Sequence, residues 1–322
     1  MIWRDLYIAA TASFLPPRTD IAAIISQGSR PFQAALGYRS ATIAAPGTGL
    51  QMATRAALRA LSLSGHTAQE LSLLTLAAVT PDTDETFPMP ACHVQRILGA
   101  DRARAVELGA GSAGDLAGLL AAAEHLTADP TAQAAMAVAA SCMTGTDRQV
   151  SPDQIVTDGA AALILARRPG RARLVATSHA AAPELEVITH MSLTATERKA
   201  VIDNLAKPFL NTMRDKTREA VGLVLDEAHT SVEKLARVVL PGAGIPFLTT
   251  VITHPLGLDL ANTTWPFSRH LGHVGPCDHL LGLDHLLQTD PDLKPGDQIL
   301  IVGMGVGWRW ICALIEIAET SP

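Results

Sequence analysis

Apolar residues follow two alternating rhythms along the chain. Leu50 to Leu63 spaces them for one face of a helix and meets no Gly or Pro until Gly65. Leu71 to Val79 and Ala134 to Ser141 are nearly unbroken apolar runs, as expected of strands buried on both faces. Cys92 to Leu98 predicts a short helix ended by Gly99. Arg104 to Leu108 predicts a short strand, followed by Gly109-Ala110-Gly111-Ser112 and a helix from Ala113 to about Leu126. Asp158-Gly159-Ala160 opens a further strand, Ala161 to Ala166. Pro169, Gly170 and Arg171 mark a boundary, after which the rhythm repeats. It runs through strand Ala172 to Thr177, a helix-rich stretch from Ser192 to His229, strand Ala236 to Leu240 and a Gly/Pro-rich loop. A helix from Cys277 to Leu287 and strands Gln298 to Val302 and Ile311 to Ile317 complete it. Such alternation predicts an α/β fold with a mixed, mostly covered sheet. No short-period repeat and no low-complexity linker interrupts it.

Composition narrows the picture. The 322 residues are 48% hydrophobic and 17% charged, with only 4% aromatic, so the core must be built from Ala, Leu, Val and Ile. A net charge of -6 without a Lys/Arg cluster leaves no electrostatic footprint for nucleic acid. Met1 to Thr11 is too short for a signal peptide, and no apolar stretch approaches the roughly eighteen residues of a membrane span. Four cysteines without a CxxC pair are expected of a reduced, cytoplasmic protein.

Two segments carry candidate chemistry. In Val106 to Leu116 a strand enters a glycine-flanked turn and a helix leaves it. Such a turn presents Ser112 at a helix N-terminus, where partial positive charge favours a developing anion. On this segment alone an N-cap serine is the favoured reading, which the second segment changes. The second segment, His270 to His279, packs three histidines and an aspartate into ten residues. Pro276 suits the first helical position and places Asp278 in the first turn, with His273 on the loop before it. A carboxylate holding one imidazole nitrogen while the other faces a hydroxyl is the arrangement that activates serine. Zinc binding by His270, His273, Asp278 and His279 matches no standard spacing, and packing or capping roles suit His270, His279 and His285. Gly303 to Trp308 is no dinucleotide fingerprint, because its last glycine is misplaced. Its turn could instead offer a backbone N–H to an oxyanion.

In this order the pieces resemble the β-ketoacyl-ACP synthase III family over nearly the whole chain. Gly37 to Ala44 is similar to its G-[IY]-R-x-R-x-I-A stretch, and Phe87 to Gly99 to its F-P-x-x-A-C-x-x-Q-x-x-L-G segment. Asp158-Gly159-Ala160 matches its D-G-A signature. Leu293 to Leu300 and Gly303 to Trp310 match L-K-P-G-D-x-[IV]-L and G-x-G-x-G-x-x-W. The resemblance implies a thiolase-like, five-layered αβαβα fold of two similar halves, 1–170 with the nucleophile and 171–322 with His and Asp. It further implies a homodimer in which Phe87 enters the partner's acyl pocket, and an oxyanion hole from the backbone N–H groups of Ser112 and Val306.

Departures from the family pattern are equally informative. Ser112 stands at the nucleophilic cysteine, Gly242 at the catalytic histidine and His273 at the catalytic asparagine. Gly272 to Asp278 instead resembles a sub-group of acyltransferases in polyketide and related biosynthesis. That resemblance implies transfer of an acyl group from acyl-CoA or an acyl carrier protein through Ser112, His273 and Asp278, onto a carrier protein or a hydroxyl or amine. It implies no cofactor beyond the coenzyme A or phosphopantetheine thioester that serves as substrate, and no metal. Carbon–carbon condensation, thioester hydrolysis and a non-catalytic role are the alternatives.

Overall fold

The computed structural model describes residues 1–24, 35–78, 89–143, 148, 154–186 and 195–319, with backbone alone for 195–207. In the first half, β1 (Tyr7–Phe14) is followed by a small ribbon of β2 (Arg18–Asp20) and β3 (Ser40–Thr42). Then come α1 (Gly49–Leu63), β4 (Leu71–Ala78), α2 (Pro90–Leu98), β5 (Arg104–Leu108), α3 (Gly114–Ala128), β6 (Ala134–Ser141) and β7 (Gly159–Ala166). The second half runs β8 (Ala172–Ala181), α4 (Ala195–Glu227), β9 (Leu235–Val239), α5 (Asp278–Thr289), β10 (Gln298–Gly305) and β11 (Arg309–Ile317).

Strand order across the main sheet is β5-β4-β6-β7-β1-β8-β11-β10-β9. β1 and β8 meet over only two residue pairs, Tyr7 with Arg173 and Ile8 with Ala172. On either side of that seam the order is the same: the first strand of each half lies beside its last, then its penultimate, then its second. Pairing directions agree too, since β4–β6 and β9–β10 are parallel while β6–β7 and β10–β11 are antiparallel. Only the first half adds a further edge strand, β5. The helices α3 and α5, each preceding the penultimate strand of its half, therefore occupy equivalent positions.

Period-two alternation sends side chains to opposite faces of each strand and so builds separate cores. Ala135, Ala139, Leu163, Ile299 and Ile301 face a central cluster with Leu116 and Leu119 of α3 and Leu280 and Leu283 of α5. Met136, Val138 and Ile164 face the opposite way, toward Met52 and Ala56 of α1 and Val94 of α2. Leu300, Val302 and Cys312 turn toward Val221 and Val224 of α4. The result is five layers, helix–sheet–helix–sheet–helix, with α3 and α5 in the middle. Alanine lets these layers approach closely, which is why a chain so poor in aromatic residues still packs.

The pattern reading located most of these elements to within a few residues; the β2–β3 ribbon was not anticipated, and two larger differences stand out. β1 lies between β7 and β8 in the sheet, yet Tyr7 to Phe14 was not anticipated as a strand. Its small, weakly apolar residues (YIAATASF) carry little signal outside their pairing partners. The helix-rich stretch is a single helix of 33 residues that continues through Pro208. Trp310 of β11 donates its indole N–H to Thr217 Oγ1 on that helix at 3.0 Å, a buried bond. Among the described residues no helix is long and apolar enough to cross a membrane.

Candidate active site

Ser112 lies in a single tight turn, Gly111–Ala113, between β5 and α3. Gly111 has φ +54, a left-handed conformation that side chains resist. The N-cap position of α3 is Ala113, so Ser112 does not take the capping role. A Cβ added to Gly114 would lie 2.6 Å from Ala77 Cβ and 2.9 Å from Pro276 Cβ. The missing side chain thus lets the Ser112 turn close against the end of β4 and against the His273–Asp278 segment of the other half.

His273 is held by its backbone. Its N–H donates to Ile155 O at 2.8 Å and its carbonyl accepts from Thr157 N–H at 2.9 Å, extending a short parallel bridge with Val156. Gly272, at φ +88, makes the turn that feeds it in. The ring then spans the gap: Nε2 lies 2.8 Å from Ser112 Oγ and Nδ1 2.5 Å from Asp278 Oδ2. His273 is 3% exposed and Asp278 6%.

Asp278 opens α5 and receives two further donors. Gly242 N–H donates to Oδ2 at 2.7 Å and Val274 N–H to Oδ1 at 2.8 Å. Burial alone would raise the carboxyl's pKa. The adjoining His273 ring, its hydrogen bond, the His279 charge and the Gly242 amide outweigh that and hold it below its ordinary value. An ionised carboxylate can only accept, so His273 Nδ1 carries the proton and Nε2 faces the Ser112 hydroxyl as an acceptor. Ser112, His273 and Asp278, anticipated from two segments far apart in sequence, come together as a hydroxyl–imidazole–carboxylate chain.

Gly242 is the residue that sequence reasoning undervalued. A Cβ there would stand 2.6 Å from Gly272 O and 2.9 and 3.1 Å from the two Asp278 oxygens. The space that a side chain would enter from position 242 is filled by the carboxylate. A side chain at 242 and the Asp278 carboxylate in this position therefore exclude one another.

Backbone at the Val306 turn closes on Ser112. A Cβ on Gly305 would lie 3.2 Å from Ser112 N, and one on Gly111 would lie 2.9 Å from Val306 N. The two amides anticipated as an oxyanion hole thus belong to turns in direct contact. Val306 itself is 56% exposed, at the rim. Phe87, anticipated in an acyl pocket across a dimer interface, lies outside the described residues.

The remaining histidines of the cluster go elsewhere. His270 sits near Arg18, Arg39 and Arg269, and burial together with those charges lowers its pKa. His285 stacks on Phe267 with ring centroids 3.9 Å apart. His279 pairs with Asp115. Among the described residues no three His, Cys, Asp or Glu side chains gather as a metal site. Cys277, one residue before Asp278, is fully buried, and burial with the Asp115 and Asp278 charges pushes its thiol well above the usual range. It is no competing nucleophile.

The layered fold with its site at the tips of two equivalent central helices defines a thiolase-fold protein. Comparison with known proteins agrees. Residues 225–317 match the family described as 3-Oxoacyl-[acyl-carrier-protein (ACP)] synthase III C terminal. The beta-ketoacyl-[acyl-carrier-protein] synthase III of Pectobacterium atrosepticum is 25% identical over 328 residues, covering 96% of this chain and 98% of its own. The solved structure of the acyltransferase ChlB3 superposes with TM-score 0.88 at 30% identity, covering 98% of each chain. Cerulenin-bound OleA from Xanthomonas, at 20% identity and TM-score 0.80 over 98% of each chain, shares the fold. The chain belongs to the β-ketoacyl-ACP synthase III-like members of the thiolase superfamily.

Proposed function

We propose that the chain is an acyltransferase that carries an acyl group through an ester on Ser112, from acyl-CoA or an acyl carrier protein to a carrier protein or to a hydroxyl or amine acceptor in polyketide or related biosynthesis. The observation that carries this reading is the Ser112–His273–Asp278 chain at 2.8 and 2.5 Å, anchored by the Gly242 amide. Its likeness to ChlB3 supports the same class.

In the proposed reaction Ser112 Oγ attacks the thioester carbonyl while its proton passes to His273 Nε2. Asp278 holds the ring and stabilises the imidazolium. The tetrahedral oxyanion is met by the Ser112 and Val306 N–H groups. The carbon–sulfur bond breaks and the departing thiolate takes the proton from His273. The acceptor then gives its own proton to Nε2 as it attacks the ester, and collapse returns that proton to Ser112. An oxygen ester resists attack more than a thioester, so activation of the acceptor by His273 is as necessary as activation of the serine.

Condensation is the rival, and the synthase III relatives favour it. It requires donors for the enolate left by decarboxylation. In this family those come from the residues that Gly242 and His273 replace, and each lost donor is worth roughly 3 kcal/mol. Supplying an acyl-CoA together with a malonyl carrier-protein thioester separates the readings. The acyl group is expected on an acceptor with no release of carbon dioxide, whereas a β-ketoacyl product would overturn the acyltransferase reading.

The same reading takes the protein as a cytoplasmic homodimer whose Phe87 enters the partner's acyl pocket, and as two similar halves, 1–170 and 171–322. For carrier docking it takes the surface cavity of about 330 Å³ lined by Arg214, Arg218, Thr250, His254 and Pro255, where two guanidinium groups one helical turn apart suit an acidic partner.

A further inference from the structure

A second carboxylate–imidazole pair lies behind the first. Asp115, in the opening turn of α3, is 1% exposed, and His279, the second residue of α5, is 0% exposed. His279 Nδ1 lies 2.8 Å from Asp115 Oδ1. Asp115 Oδ2 accepts the backbone N–H groups of His279 and Leu280, each at 3.0 Å. Its Oδ1 also accepts Leu116 N–H at 2.8 Å. The first N–H groups of a helix have no partner within it. Here those of α5 are satisfied by a carboxylate delivered from α3.

That placement is specific to the site. α3 begins two residues after Ser112, and α5 begins with Asp278. One carboxylate thus fastens, head to head, the two equivalent central helices that carry the nucleophile and the acid. His279 Nε2 is buried, and the Val302 backbone favours its charged form. It lies beside β10, where a Cβ on Gly303 would stand 3.2 Å away. Three residues further along, β10 delivers Val306. The pair therefore touches all three segments that build the site.

We propose that Asp115 and His279 are positioning residues that set the Ser112–His273–Asp278 alignment for acyl transfer, a proposal that rests on the acyltransferase reading above. The charge on the pair fits that role. Burial pulls the His279 pKa down, but the Asp115 charge, its hydrogen bond and the Asp278 charge outweigh burial and raise it above 6.5. A positive charge on His279 in turn favours an ionised Asp278. A misplacement of an ångström at a reacting centre can cost two orders of magnitude in rate without touching substrate affinity.

Single-turnover acylation of Ser112 by butyryl-CoA, measured on the full chain, tests the proposal. D115N/H279Q removes both charges, so neither partner is left as an unpaired buried ion, although the Asn NH₂ faces at least one of the Leu116, His279 and Leu280 N–H groups that Asp115 accepts. Rates are normalised to the folded fraction read by circular dichroism. The double variant is expected to acylate at least tenfold more slowly at saturating donor, with the half-saturating donor concentration within twofold of wild type. A purely structural role would leave the rate of the folded fraction unchanged, and that result overturns the proposal. Absence of acyl on wild-type Ser112 would instead overturn the acyltransferase reading and the proposal with it.

Discussion

Asp278→Asn should lower the rate of Ser112 acylation by about four orders of magnitude, as loss of the carboxylate does in serine triads generally. The amide cannot reproduce the bonding in either orientation. With its NH₂ on the His273 side it confronts Nδ1–H and Gly242 N–H, both of which donate to Oδ2. Relief for the ring requires the other tautomer, which turns Nε2–H toward the serine and ends its service as a base. Flipping the amide instead sets NH₂ against Val274 N–H, the donor to Oδ1. Either way one buried backbone N–H is orphaned, at about 1–3 kcal/mol. Rapid-quench acylation and a thermal melt check both parts. The sign of the pH dependence follows from the lowered Asp278 pKa. Its stabilising contribution is present above the ordinary carboxylate value of 3.8 and is lost as pH falls through the lowered value. Melting temperatures of variant and wild type should therefore converge on acidification.

Gly242→Ala is also expected to be damaging, although it adds one methyl group. The new carbon would meet Gly272 O at 2.6 Å and the Asp278 oxygens at 2.9 and 3.1 Å. None of these atoms is the free end of a flexible side chain. Gly242 is held from both sides, its N–H by Asp278 and its carbonyl by the Tyr38 hydroxyl at 2.6 Å. Overpacking of this kind costs about 1–3 kcal/mol. The carboxylate must move, and with it the His273 ring, so acylation should fall roughly a hundredfold or more. Gly242→His, the residue type that the resemblance to the condensing family implies at this position, should fail for the same reason and give no condensation. Steady-state acylation and a malonyl decarboxylation assay read the two outcomes.

These expectations also show where the sequence was transparent and where it was not. Buried strands such as β4 and β6 were legible because continuous apolar runs bounded by turns admit few other readings. β1 was not, since its residues are distinguished mainly by their partners in β7 and β8. Ser112, His273 and Asp278 were legible through local context: a glycine-flanked turn opening a helix, and a histidine placed just before an acidic first turn. Gly242 was opaque because a glycine in place of a histidine reads as a loss. Only the approach of Asp278 shows that the space beside Gly242 is filled and that its backbone amide is a donor. Asp115 was opaque for another reason. An acid in the first turn of a helix is ordinary, and its partner His279 is 164 residues away in sequence.

Acylation of the Ser112 hydroxyl is the step on which all the others depend. Incubating the protein with butyryl-CoA, digesting it and weighing the peptide that contains Ser112 measures this directly. A butyryl adduct on that peptide, absent after Ser112→Ala and strongly reduced after His273→Ala, is the predicted result. An unmodified Ser112 peptide with the acyl group on another residue, or an adduct that forms equally well without His273, would contradict it.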